Sequence, residues 1–173
     1  MHIVYQNLPK STDKVELVQR RGKGSHSTLM KNQFNYPAML TKQKEGGYLV
    51  QFPDFPEAIT QGDTIDDALT ETLDCLEEAI ANRIEMKLDI PSPSAIKKIQ
   101  CSISLHTTFA AKTALHLAMR EQKFNNTLLA KKLRCDEKEI RRLLDPHYNS
   151  KLPRIEEALH ILGKRIRLEV VYC

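Results

Sequence analysis

Apolar and polar positions alternate with period two over residues 34–43, where Phe34, Tyr36, Ala38 and Leu40 fall on one side. That is the pattern of a half-buried strand. Glu45-Gly46-Gly47 follows as a turn, because paired glycines reach positive φ at little cost. Tyr48, Val50 and Phe52 alternate again, and the two runs predict a β-hairpin. Pro53 and Pro56 remove ladder donors, which predicts a fixed loop over residues 53–57 and a short third strand over residues 58–60. From Asp63 the period becomes helical. Asp63 or Thr64 can cap the helix start. Ala68, Leu69, Leu73, Leu76, Ala79, Ile80 and Ile84 make one apolar face, with Glu71, Asp74, Glu77 and Glu78 largely outside it. Pro91-Ser92-Pro93-Ser94 ends this segment, and Ile99, Cys101, Ile103 and Leu105 predict a strand returning to the sheet. Strand, strand, strand, helix, strand predicts a helix packed across one face of a small sheet.

The chain then reads as helical up to Gly163. Thr107 and Thr108 are candidate caps for a helix through Ala110, Ala111, Ala114, Leu115, Ala118 and Met119. Asn126 or Thr127 caps a short helix carrying Leu128, Leu129, Ala130 and Leu133. Arg134-Cys135-Asp136 is a three-residue turn, and Asp136 caps a second short helix with Ile140, Leu143 and Leu144 apolar. A helix, a tight turn and a helix, with a small residue at Ala130 where the backbones approach, is the helix-turn-helix pattern, although Cys135 stands where glycine is common. Pro153 suits the first position of a further helix, whose buried face is Ile155, Ala158, Leu159 and Leu162.

Ile166, Leu168, Val170 and Tyr172 alternate once more as a terminal strand with no evident partner in a helical region. Pairing of Ile166, Leu168 and Val170 with the same strand of a second copy would cover that edge and make a two-fold dimer. Residues 1–33 are polar and basic, with a short apolar run at Val15, Leu17 and Val18 broken by Gly22 and Gly24. They are expected to be a poorly packed extension, and Met30, just before the first convincing strand, is a candidate start. The division expected is thus an extension at 1–33, a first domain at 34–105 and a second at 106–173. The fold class is α+β, with the sheet and its helix first and an all-α unit ending in a strand second.

Charge separates the same two units. Residues 35–94 hold four Lys/Arg against twelve Asp/Glu, and residues 106–173 hold fourteen against eight. An acidic half beside a basic half implies two partners, one of them polyanionic. The length of 173 residues suits one ordinary domain or two small ones. With no Trp, the core must rest on Leu, Ile, Val and Ala. No apolar run is long enough for a membrane span and no signal segment is visible, so a cytoplasmic protein without a membrane partner is expected. Cys75, Cys101, Cys135 and Cys173 are scattered without CxxC spacing, which argues against a disulfide framework or a metal site. No cofactor is expected.

The second helix of the helix-turn-helix pattern exposes Lys138, Arg141 and Arg142, where such a helix enters the major groove. Arginine reads guanine bidentately, and lysine reaches phosphate or base. Lys131 and Lys132 on the first helix, with Lys151 and Arg154 in the loop beyond, are candidates for neutralising phosphates. The bland alternative is a solvated basic helix face.

Several short stretches together resemble HicB-type antitoxins. They are Tyr36-Pro37-Ala38, Glu45-Gly46-Gly47-Tyr48, Phe52-Pro53-Asp54 with Pro56-Glu57-Ala58, Gly62-Asp63-Thr64 and the Ala68-Leu69 helix. The linker Ile90-Pro91-Ser92-Pro93-Ser94, then Leu128-Ala130-Leu133 and Leu162-Gly163-Lys164-Arg165, continue the likeness. The resemblance implies a partially ribonuclease-H-like first domain that covers a HicA-type toxin, a small mRNA-cleaving protein. It implies a second domain that binds operator double-stranded DNA and represses the shared operon. Tyr48, Phe52, Asp54, Phe55 and Glu57 are the candidate toxin contacts. Lys23-Gly24-Ser25-His26 looks instead like the glycine-serine-histidine strand of the toxin, but a lone His is weak ground for catalysis.

Two other readings compete. Asp54, Glu57, Asp63, Asp66 and Asp67 are clustered carboxylates, as a two-metal ribonuclease would need, yet Asp63 and Asp66 suit a helix start and Asp54 and Glu57 lie in the proline-fixed loop. A ligand-responsive transcription regulator without a toxin partner is the other.

Overall fold

The computed structural model describes residues 14–19 and 34–169. The expected hairpin is present. With β1 (Lys14–Gln19) first in the chain, β2 (Asn35–Lys42) and β3 (Tyr48–Phe52) pair antiparallel, and Met39 stands opposite Gln51. Gly46 and Gly47 turn the chain at φ 104 and 76, values that L side chains rarely adopt.

The third strand, β4 (Phe55–Gly62), is longer than the expected 58–60. Pro53 and Asp54 alone make the turn, and Phe52 pairs with Phe55. The register then shifts between Gln51 and Phe52, and Gln51 meets Ile59. Pro56, Glu57 and Ala58 are thereby left out of the regular ladder. The proline is tolerated because β4 is an edge of the sheet, whose order is β4-β3-β2-β5. The returning strand β5 (Cys101–Ser104) adds to the other side of β2, with Tyr36 opposite Ile103.

Between them, α1 (Ile65–Glu85) crosses one face. Thr64 is its cap. The hydroxyl accepts from the Asp67 N–H at 3.1 Å and donates to the Asp67 carboxylate at 2.7 Å, an arrangement worth about 1 kcal/mol. Ala68, Leu76 and Ile80 of α1 meet Tyr36, Ala38, Val50, Phe52 and Phe55 of the sheet in the core.

Gly62 permits this contact. A Cβ there would lie 2.3 Å from the Ala68 backbone nitrogen and 2.7 Å from its Cα. Neither atom can give way without moving the start of α1. Gly62→Ala is therefore expected to destabilise the chain by about 1–3 kcal/mol or more, read as a lowered urea midpoint. An unchanged midpoint would mean that the helix start moves freely.

The helical half comprises α2 (Thr107–Glu121), α3 (Asn126–Leu133), α4 (Glu137–Leu144) and α5 (Leu152–Ile161). Two expected caps move by one residue. Asn125, not Asn126, accepts from the Leu128 N–H. His106 precedes α2 without a side-chain cap, and its own N–H donates to Glu77 at 2.8 Å. Buried side chains of both halves form one continuous cluster. Among the described residues no helix is long and apolar enough to cross a membrane.

The largest departure concerns the chain ends. The strand β6 (Lys164–Glu169) does have a partner in its own chain: β1 pairs with it antiparallel, Leu17 opposite Ile166 and Val15 opposite Leu168. Residues 14–19 are thus a strand rather than an unpaired extension, and together with β6 they make a separate two-stranded sheet. The expectation that β6 lacks a partner within the chain is corrected, because one of its edges is occupied by β1. Val170, Tyr172, Met30 and the Lys23–His26 stretch lie outside the described residues.

Candidate nucleic-acid interface and acidic face

The α3–α4 pair is built by local chemistry. Arg134 ends α3 with φ 54, and its N–H and that of Cys135 both return to the Ala130 carbonyl. A non-glycine residue in the left-handed region is uncommon, and here it reverses the chain within three residues. Asp136 caps α4 by accepting from the Glu139 N–H at 2.7 Å. Thr127 at the start of α3 donates to Glu137 at 2.6 Å, tying the two helix starts together.

Ile140 and Leu143 face inward, at 0% and 3% exposure. That rotation leaves Lys138, Arg141 and Arg142 exposed at i, i+3 and i+4 on the other side. Arg141 remains 70% exposed while approaching Glu137 at 3.6 Å, a weak contact in water. Lys131, Lys132 and Lys151 are exposed as well.

Arg154 is different. Its Nε donates to Glu139 at 2.6 Å and its guanidinium also reaches Glu157 at 2.5 Å. These two carboxylates raise its pKa above the ordinary arginine value. Arg154, expected as a phosphate contact, faces α4 and bridges it to α5, so DNA would have to compete with Glu139 and Glu157 for it.

Two residues of this region carry no sequence-based assignment. Lys112 on α2 is 1% exposed. Its ammonium donates to the carbonyls of Arg142, Asp145 and Tyr148 at the end of α4 and in the following loop. Burial pulls its pKa below the usual lysine value, opposed by Asp145. Tyr148 places its ring 5.3 Å from the Arg142 guanidinium carbon. The helical period would have set Lys112 beside Leu115 and Met119, which is the available signal for a buried lysine.

In the acidic half, Phe52 and Phe55 are 2% and 0% exposed. As candidate toxin contacts they are corrected: both are core side chains beneath α1 and offer no surface. Tyr48 is half-buried against the same core. Asp54 accepts from the Ser94 N–H at 2.9 Å. Glu57 is held by Arg83 through two hydrogen bonds, at 2.5 and 3.1 Å, which lower its pKa. Among the described residues no group of three or more His, Cys, Asp or Glu is placed to hold a metal ion. Of the carboxylates considered for metal chemistry, Asp54 holds the Ser94 N–H, Glu57 pairs with Arg83 and Asp67 joins the Thr64 cap.

Glu57 also borders an open groove of about 450 Å³ between β4, α1 and the loop after α4. Glu78 and Glu85 line it, Ala58, Ala79 and Ala81 add small apolar surface, and His147 reaches across to Glu78 at 3.6 Å. The groove joins the two halves and is acidic.

His116 on α2 has a buried Nε2 without a hydrogen-bond partner among the described residues. Burial, then Arg120, lowers its pKa from 6.5. The folded chain thus favours the neutral ring. The part of the stability tied to His116 is complete above about pH 6.5 and declines as pH falls, because the unfolded chain takes up the proton first. The melting temperature should drop between pH 7.5 and 5.5, and His116→Leu should flatten that drop. Equal slopes in both proteins would assign the pH dependence to other groups.

Comparison with known proteins identifies the family. Residues 35–114 match the family model described as HicB-like antitoxin of bacterial toxin–antitoxin systems. The chain is similar to antitoxin HicB 1 of Photorhabdus laumondii subsp. laumondii, 32% identical over 150 residues, covering 87% of this chain and 95% of that protein. It is similar to antitoxin HicB of Escherichia coli K12, 34% identical over 136 residues, or 79% of this chain and 99% of that protein. Antitoxin HicB of Pseudomonas fluorescens is 29% identical over 138 residues, 79% of this chain and 94% of that protein.

Proposed function

Because this chain belongs to the HicB antitoxin family, we propose that it neutralises a HicA-type toxin with its acidic half and represses its own operon with its basic half. The DNA half of this reading is carried by Lys138, Arg141 and Arg142, exposed together on one side of α4. We read α3 and α4 as a helix-turn-helix whose second helix enters the major groove. Lys131, Lys132 and Lys151 supply sequence-independent phosphate contacts. The toxin half is supported by charge. A protein that grips mRNA is basic, and Glu57, Glu78 and Glu85 along the groove complement such a surface. The chain acts as a non-enzymatic binder in the cytoplasm, where both operator and mRNA are found. A partially ribonuclease-H-like descent of the sheet and α1 is consistent with Asp54, Glu57 and Asp67 being engaged in structural bonds.

A palindromic operator calls for a two-fold dimer. We assign the contact to β6, where Leu168 is 51% exposed beside half-buried Ile166. Since β1 holds one edge of β6, the second copy takes the other edge.

The test is co-expression with the small protein encoded beside the gene, followed by co-purification, growth rescue and a gel shift on the upstream DNA. A complex that restores growth, with a shifted operator, is the expected result. Operator binding without complex or rescue would replace the antitoxin reading with a ligand-responsive regulator.

A further inference from the structure

Arg142 is one of three exposed cations on α4, but its surroundings differ from those of the other two. The Tyr148 ring lies 5.3 Å from its guanidinium carbon, and the Lys112 ammonium lies 5.9 Å from the same ring. Tyr148 is itself 43% exposed and sits in the loop between α4 and α5. A tyrosine in a loop would ordinarily be a mobile partner. Here the loop is pinned from below. Buried Lys112 donates to the Asp145 and Tyr148 carbonyls and to that of Arg142 at 3.3 Å. The Ser150 hydroxyl donates to the same Arg142 carbonyl at 3.1 Å. The Tyr148 backbone and the end of α4 are thus held by one cation from α2.

We propose that Tyr148 is a positioning residue for DNA recognition: its ring, anchored through Lys112, presets the Arg142 guanidinium before DNA arrives. This rests on the operator-binding reading of α4. A free arginine side chain has many rotamers and loses them on binding. A guanidinium stacked on an aromatic face has lost part of that freedom already. Arg141, which has a weak contact to Glu137 and no cation–π partner among the described residues, is the internal comparison.

The experiment is a double-mutant cycle on the full chain, with operator affinity as readout. Tyr148→Leu is expected to weaken operator binding about 2- to 5-fold, the range for an exposed cation–π contact. In the Arg142→Ala background the same change is expected to have no effect. Tyr148→Phe, which keeps the ring, should bind like the unaltered protein. Equal losses in both backgrounds, or no loss in either, would overturn the proposal. So would a Tyr148→Phe loss as large as that of Tyr148→Leu, which would make the hydroxyl a DNA contact.

A second measurement separates this idea from the reading beneath it. Nitrogen-15 relaxation of the Arg142 Nε in DNA-free protein should report a more ordered side chain than Arg141, and Tyr148→Leu should abolish the difference. Equal mobility of the two arginines overturns the presetting even if the operator is bound. An ordered Arg142 in a protein that binds no operator overturns the role in recognition while leaving the ring contact intact.

Discussion

Replacing Arg141 and Arg142 together with alanine is expected to weaken operator binding at least about 30-fold while leaving toxin neutralisation intact. A good base contact by arginine is worth roughly 1–3 kcal/mol, and two such losses combine to roughly 2–6 kcal/mol if the contacts are independent. The fold should tolerate the change. Both side chains are exposed, and the cap at Asp136 and the anchors Ile140 and Leu143 are untouched. Alanine also favours helix. Gel shift and growth rescue on the same variant, with salt titration, provide the check. Loss of two phosphate contacts instead would lower the salt slope by about 1 per contact and weaken all DNA sequences alike. If rescue falls in step with DNA binding, the two functions do not occupy separate surfaces.

Phe55→Ala should abolish growth rescue by unfolding the sheet half rather than by removing a contact with the toxin. Phe55 is completely buried, its ring meets Tyr36 edge-on at 5.0 Å, and Arg83 lies 5.1 Å above it. Truncation leaves a cavity beneath α1 and strips a neighbour from the Arg83–Glu57 pair. The usual cost of such a change is about 3–5 kcal/mol, a large part of a total near 5–15 kcal/mol. The urea midpoint should therefore fall sharply. Glu57→Gln is the contrasting variant, since it keeps the core and weakens only the exposed ion pair. A Phe55→Ala protein with an unchanged midpoint and no rescue would return Phe55 to the list of contact residues.

Much of this fold is legible where a local pattern meets a local cap. The β2–β3 hairpin follows from alternation around Gly46-Gly47, and α1 from its apolar stripe behind Thr64. The α3–α4 pair follows from two short stripes separated by Arg134-Cys135-Asp136. What local pattern cannot express is direction and distant pairing. Phe55, between Pro53 and Pro56, reads as part of a surface loop, yet the edge position of β4 lets Pro56 stay in the strand and the Phe55 ring turn inward. Arg154 reads as a free cation because charge is visible in sequence and orientation is not. Its acid at i+3, Glu157, was the only local hint of an internal pair. Candidate DNA contacts on α4 were legible because helical period alone decides which of its side chains face away from Ile140 and Leu143.

The pairing of β1 with β6 has a consequence for how the chain is made. Lys14 stands opposite Glu169, 155 positions later, so this ribbon closes the longest loop described here. Contacts of such separation form late, after shorter loops have met their entropy cost. During synthesis from the N-terminus, β2 to β5 and α1 can be complete while β6 is still inside the ribosome. The sheet half can then fold before β1 and β6 meet, and the β1–β6 ribbon is expected to be the last pairing to form.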